Sequence, residues 1–414
     1  METLHTLFLE ALNAALRNAS VTWTEPLELE QWHALFSLAD AHRTLPMVYQ
    51  AVFRSEAGKR ADPAVFAPYK RRVMHDVIVQ TQRTQAFFAL YDDLCAARLT
   101  PIVVKGIVCR ELYPNPDQRM SADEDLLLRR DQLRLCHRKL IEAGLMTELD
   151  EEATEREYET SFFSERQPLH IEVHSSLFPP ESDAYGNMAA LFDSVFDRAE
   201  VRPVAGHALR TLSHTDHLLF LLCHAFKHFL HSGFGLRQVS DIALYANAYG
   251  EAVDWARVQQ ACREIRAERF AAALFAIAEN YLTFDPDRAH YPASWRALAV
   301  DPEPLLNDLL GSGVYGSSSM SRRHSSRITL SAVSAARQGR VEHAGTLKAL
   351  FPSAEALQGR YPYLEKRRWL LPVAWAQRIA HYRRETARTH NNSAADAVKI
   401  GRERTALLKE YDII

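Results

Sequence analysis

Residues 101–128 read PIVVKGIVCRELYPNPDQRMSADEDLLL. An apolar run, Pro101 to Val104, ends in Lys105-Gly106. A short amphipathic stretch, Ile107 to Tyr113, leads into the turn-rich Pro114-Asn115-Pro116-Asp117-Gln118-Arg119. The segment closes on Asp123-Glu124-Asp125, which runs into Leu126-Leu127-Leu128. The pattern predicts strand, helix, loop, strand. Side chains on a strand alternate, so Asp123 and Asp125 share a face. Two adjacent carboxylates at the mouth of an apolar strand repel each other unless a cation lies between them. A hard divalent ion with phosphate oxygens in its shell suits that arrangement. An Asp-x-Asp triplet alone more often marks a solvated turn. Lys105-Gly106 before it, Arg119 beside it and a second acidic strand after it favour the cation.

That second strand is Leu169-His170-Ile171-Glu172-Val173-His174, after a first run at 157–164. Its alternation sets His170, Glu172 and His174 on one face and three aliphatic residues on the other. An edge strand with a wet polar face has the same pattern. A His/Glu/His zinc site is the weaker reading, because same-face neighbours on one strand rarely converge on a tetrahedral ion.

Helical spacing dominates elsewhere. Apolar periodicity marks 3–18, 27–40, 42–54 and a long stretch from Pro63 to about Ala97. Arg129 to Gly144 reads as an amphipathic helix stopped by glycine. From Ser213 a helix buries Leu218, Leu219, Leu222 and Phe226 and carries His224, Lys227, His228 and His231 on its polar side. Another starts near Leu236, with Arg237 and Asp241 spaced to pair. Histidines on such helices are usually structural.

At 414 residues the chain exceeds one ordinary core. The expected parts are a helical region 1–97, a core 98–208, a helical region 209–311 completing a cleft, and a linker with a basic helical region 312–414. The Gly/Ser-rich 312–326 is expected to be a loop. Five scattered cysteines without a Cys-x-x-Cys pair exclude a zinc knuckle or a disulfide framework and point to reduced thiols in the cytoplasm. The start lacks a basic, apolar leader, and no run of about 18 apolar residues predicts a membrane span. Net charge is only −3, yet 321–414 carries 18 Lys/Arg against 8 Asp/Glu. A basic tail of this kind binds RNA or an anionic surface, or packs in cis. Within 360–388, Trp369, Leu370, Leu371 and Trp375 precede most of the arginines in a block, which favours packing and predicts that these four are mostly buried.

The order Lys-Gly, Tyr-Pro-Asn-Pro, Arg119-x-Ser121-x-Asp123-x-Asp125-Leu, then Glu172-x-His174, resembles the uncharacterised bacterial nucleotidyltransferase family of the polymerase-β-like superfamily. The Lys-Gly and Arg-x-Ser-x-Asp-x-Asp parts also resemble nucleotidyltransferase toxins of abortive-infection systems. His224, Lys227, Arg237, Asp241 and the closing Leu-Leu-Pro-x-x-Trp resemble the family's C-terminal half. The likeness covers most of the chain and is most specific over 99–245. Two departures stand out. Gly106 is followed by Ile107 where the superfamily has Gly-Ser or Gly-Gly, and Glu172 stands where Asp is frequent.

The resemblance implies an α+β fold: a small mixed β-sheet nucleotidyltransferase core between N-terminal and C-terminal helical regions. It implies transfer of a nucleoside monophosphate from a nucleoside triphosphate such as ATP to an acceptor hydroxyl on a small molecule, a peptide or protein, or a tRNA. Asp123, Asp125 and Glu172 would hold Mg²⁺ or Mn²⁺, and Glu172 would help deprotonate the acceptor. Lys105, Gly106, Arg119 and Ser121 would bind the nucleotide. His174, His224, Lys227, Arg237 and Asp241 would contact substrate or support the site. A non-catalytic nucleotide-binding or regulatory protein on the same scaffold is the alternative, against which the retention of all three carboxylates counts.

Overall fold

The computed structural model describes residues 3–180, 182–231, 233–312, 320–339, 353–357, 361–386 and 394–414. Its centre is a six-stranded mixed sheet: β1 (Ile102–Val104), β2 (Glu124–Leu127), β3 (Glu159–Phe163), β4 (His170–His174), β5 (Glu200–Val204) and β6 (His207–Thr211). Their order is β3-β4-β2-β1-β6-β5. β1 runs antiparallel to β2, and β2 runs parallel to β4 with Asp125 opposite Glu172 and Leu127 opposite His174. The fold is α+β, with helical regions at both ends, as the resemblance implies.

Alternation sorts the sheet into two faces. Val103, Leu126, Ile171 and Val173 face one core, shared with Phe87 and Leu94 of the long helix Pro63–Ala96 and with Leu133 and Leu140 of the helix Leu133–Glu142. Ile102, Val104 and Leu127 face the larger core, which contains the helices Thr3–Leu16, His214–His231 and Leu236–Tyr249. Asp125, Glu172 and His174 alternate onto this second side. The first side carries Glu124, fully buried. Covering both faces removes water from the sheet's centre and concentrates its polar chemistry at one edge of the helical cover.

Three sequence expectations need correcting. The hairpin β5–β6 has no counterpart among the predicted strands, yet it extends the sheet beside β1 through Val103 opposite Thr211. Within the expected loop 312–326, Met320 onward is helix, running to Arg337. Two of its polar residues are held in place: Arg322 pairs with Asp308 at 2.6 Å, and Ser325 donates to the Arg322 carbonyl. Residues 313–319 lie outside the described part. Trp369 is 75% exposed rather than buried. It lies in the one-turn 3-10 segment Arg368–Leu370, next to a small cluster formed by Leu357, Leu364 and Ala374. Leu370, Leu371 and Trp375 pack only partly on that cluster, which is too small to cover Trp369 as well. Of the basic helix, Arg388 lies outside the described residues.

Candidate functional site

The strand-to-helix turn after β1 is held from both sides of the sheet. Lys105 has φ +42° and Gly106 φ +21°, a left-handed geometry costly for a lysine and persistent only where neighbours impose it. His217 imposes it from one side, its Nε2 accepting from the Lys105 amide at 3.1 Å. Burial, reinforced by Arg202, lowers the His217 pKa to about 3, so the ring stays neutral and keeps a lone pair for that bond. Glu124 imposes it from the other. Its Oε2 accepts from the Ile107 amide at 2.9 Å, while Arg110 and Ser121 hold Oε1 at 2.6 and 3.1 Å. A Cβ on Gly106 would stand 2.0 Å from Glu124 Oε2, so only glycine fits.

Lys105 is thereby aimed at the acidic strand. Its Nζ lies 3.0 Å from Asp125 Oδ2, 3.9 Å from Asp123 Oδ2 and 3.3 Å from His224 Nε2. His224 in turn lies 3.2 Å from His228 Nε2. Burial and then the lysine charge hold the His224 pKa well below its ordinary value, so it meets Lys105 as a neutral acceptor. Burial opposes ionisation of Asp125, but Lys105 and His174 outweigh it and bring the carboxyl down to about 2. Glu172 takes the opposite course. Burial, then Asp125 and Asp123, push its carboxyl up to about 8. The two acids titrate far apart because the local positive charge neutralises one carboxylate and leaves the next against it.

Donor atoms of Asp125, Glu172 and His174 lie within 4.8 Å of one another. Among the described residues this is the group able to hold a metal ion, and it contains His174 where the sequence suggested Asp123. Asp123 precedes β2 and lies against Lys105 on the cleft wall. The cleft is lined by Lys105, Gly106, Arg119, Ser121, Asp123, Leu221, His224, Arg237, Gln238 and Asp241. Eight of the expected site residues therefore meet in one cavity.

Their roles differ. Arg119 is buried, with Nε and Nη2 on the two oxygens of Asp241 at 3.0 and 2.7 Å. Tyr113 donates to Asp241 at 2.8 Å, and Arg237 reaches it at 3.4 Å, the pairing expected from their spacing. That leaves Arg119 Nη1, Arg237 Nε and Gln238 Nε2 buried without a hydrogen-bond partner. Ser121 serves the Arg110–Glu124 network instead, its hydroxyl accepting from Arg110 at 2.7 Å. Lys227 sits 5.9 Å over the Tyr158 ring, near enough to Glu159 and Glu172 for their charges to act on it.

A family model described as an uncharacterised nucleotidyltransferase matches residues 28–283. The chain belongs to that family. The match spans the sheet, the helices Pro63–Ala96, Leu133–Glu142, His214–His231 and Leu236–Tyr249, and every candidate residue above. No curated protein and no solved structure matches the chain.

Three further residues shape the site without having stood out in the sequence. Glu124 lies between the two aspartates, and strand alternation alone sends it to the opposite face. A carboxylate buried there requires a partner, and Arg110, four residues past Gly106, supplies it. His217 had no signal beyond its position on an apolar helix. Arg83, on the long helix, ties the loops at Ser121 and Pro168 together by donating to both carbonyls. Among the described residues no helix is long and apolar enough to cross a membrane.

Proposed function

We propose that this chain is a metal-dependent nucleotidyltransferase that moves a nucleoside monophosphate from a nucleoside triphosphate to an acceptor hydroxyl. The observation that carries the proposal is the convergence of Asp125 and Glu172, with His174, beside the ammonium of Lys105, a residue that also lines the cleft. The donor set fits a divalent cation. Asp125 Oδ2 is buried against the Lys105 ammonium, and Glu172 carries an elevated proton affinity that a nearby cation would relieve. Asp123, Asp125 and Glu172 would hold Mg²⁺ or Mn²⁺, which when bound supplies charge stabilisation at the reacting phosphate.

The chain's own residues do the rest. The acceptor oxygen attacks the α-phosphorus, the bond to the β-phosphate oxygen breaks, and pyrophosphate leaves. Glu172 receives the proton lost by the acceptor. Lys105 neutralises charge on the triphosphate, helped by the unpartnered donors of Arg119, Arg237 and Gln238. Such donors are costly to bury empty-handed, and an anionic ligand in the cleft relieves that cost. Asp241 keeps Arg119 oriented, and Gly106 admits the chain close to the phosphates. The acceptor is a small molecule, a peptide or protein side chain, or a tRNA end. Five free cysteines, four of them buried, accord with a reducing cytoplasm.

The test is divalent-ion-dependent release of pyrophosphate from a mixture of the four ribonucleoside triphosphates, with Asp125→Asn as control. Release by the parent and its loss in the variant are expected. Tight nucleotide binding without release would turn the reading toward a non-catalytic nucleotide-binding protein.

A further inference from the structure

The inference rests on the nucleotidyltransferase reading and concerns the ion that reading requires. We infer that His174 is itself a metal ligand, and that the site therefore selects a first-row transition cation over Mg²⁺. Alternation on β4 places His174 on the same face as Glu172, and the parallel pairing with β2 sets Asp125 opposite Glu172 on that face. His174 Nε2 is 3.1 Å from Asp125 Oδ1 and 3.8 Å from Glu172 Oε2. The objection that neighbours on one strand do not converge is met by the third donor, which comes from the next strand.

The other ring nitrogen strengthens the assignment. His174 Nδ1 is buried without a hydrogen bond, and Glu159 Oε2 of β3 lies 3.8 Å from it. A carboxylate behind the distal nitrogen of a histidine favours the proton there and leaves the Nε2 lone pair for an ion, the usual support of a metal-binding imidazole. Register places Glu159 directly opposite His174 in the sheet, so this support is built into the strand pairing. Imidazole binds first-row transition ions, Mn²⁺ least strongly of that series, whereas Mg²⁺ prefers an all-oxygen octahedron and keeps its waters. A site with one imidazole among carboxylates therefore discriminates between ions of equal charge. The competing structural arrangement makes His174 a cation salt-bridged to Asp125, with no ligand role.

Pulsed electron paramagnetic resonance on the full-length chain loaded with Mn²⁺, without nucleotide, separates the two. Bound Mn²⁺ should show modulation from a coordinated ¹⁴N nucleus. His174→Gln should abolish it, while His224→Gln should retain it. Mn²⁺ affinity should fall at least about tenfold in His174→Gln, with Mg²⁺ affinity changed by less than about threefold. Absence of nitrogen modulation in the parent protein overturns the inference, and that measurement needs no variant to fold. Modulation persisting in His174→Gln, or Mg²⁺ and Mn²⁺ competing equally in the parent, overturns it too. Full pyrophosphate release with Mg²⁺ and no nitrogen signal would remove His174 and leave the proposed function standing. A His174-dependent signal with no release under either ion would do the reverse.

Discussion

Replacing Glu172 by glutamine should stabilise the metal-free protein at alkaline pH. The side chain is 21% exposed, and burial with Asp125 and Asp123 raises its carboxyl from the ordinary 4.5 to about 8. Between those values the folded state holds a proton that the unfolded chain has released. Stability therefore declines as pH rises through that window, and nothing is lost below it. At about 1.4 kcal/mol per pKa unit, the full span sets a ceiling of about 5 kcal/mol. With a fifth of the side chain open to water, a penalty of about 2–5 kcal/mol is expected near pH 8.5. Glutamine keeps the shape and never ionises. Denaturant unfolding of parent and variant in chelator should thus coincide near pH 5 and diverge steadily toward pH 8.5, the variant being the more stable. Taking the difference between the two proteins cancels groups with the opposite dependence, such as His42, whose pKa burial lowers to about 4. A saturating divalent ion should reverse the order, because it favours the carboxylate. Parallel curves in chelator, or a variant less stable at pH 8.5, would refute the account of Glu172 as a carboxyl crowded by like charge.

Gly106→Ala should cost at least about 1–3 kcal/mol in unfolding experiments, because the new Cβ meets a Glu124 carboxylate that Arg110 and the Ile107 amide hold in place. Full stability would mean that the turn has room to relax. Asp241→Ala leaves Arg119 and Arg237 buried without their shared anion, so a loss of about 3–5 kcal/mol is expected; a change under 1 kcal/mol would show the network to be solvated. Lys105→Ala should weaken triphosphate binding by about ten- to a hundredfold, the worth of one charged hydrogen bond, with the fold retained by circular dichroism. Unchanged affinity would remove Lys105 from the nucleotide site.

The local half of this site was legible in the chain. Alternation in 169–174 put Glu172 and His174 on one face, and the spacing of Arg237 and Asp241 anticipated their pairing. Long-range register was not legible. Nothing in either strand announces that Asp125 lies opposite Glu172, so the inclusion of His174 in the cluster escaped a reading confined to one strand. Arg119 and Ser121 line the cleft, yet Arg119 gives two of its nitrogens to Asp241 and Ser121 gives its hydroxyl to Arg110 and Glu124. The β5–β6 hairpin escaped notice because Pro203 interrupts an otherwise strand-like run, and proline is tolerated only on an edge. Its turn, Ala205-Gly206, has positive φ at both positions, which an alanine does not advertise. Trp369 shows the limit of reading burial from an apolar block: the residues around it offer too little surface to cover it.

Nucleotide transfer in this cleft would leave a covalent trace on the acceptor. The most direct test is incubation of the purified chain with α-³²P-labelled ribonucleoside triphosphates, Mg²⁺ or Mn²⁺ and a cell extract, followed by tracing the label. Covalent label on an acceptor is expected, dependent on a divalent ion and lost in Asp125→Asn. Label that never leaves the nucleotide pool, with the parent protein folded and the triphosphate bound, would contradict nucleotide transfer.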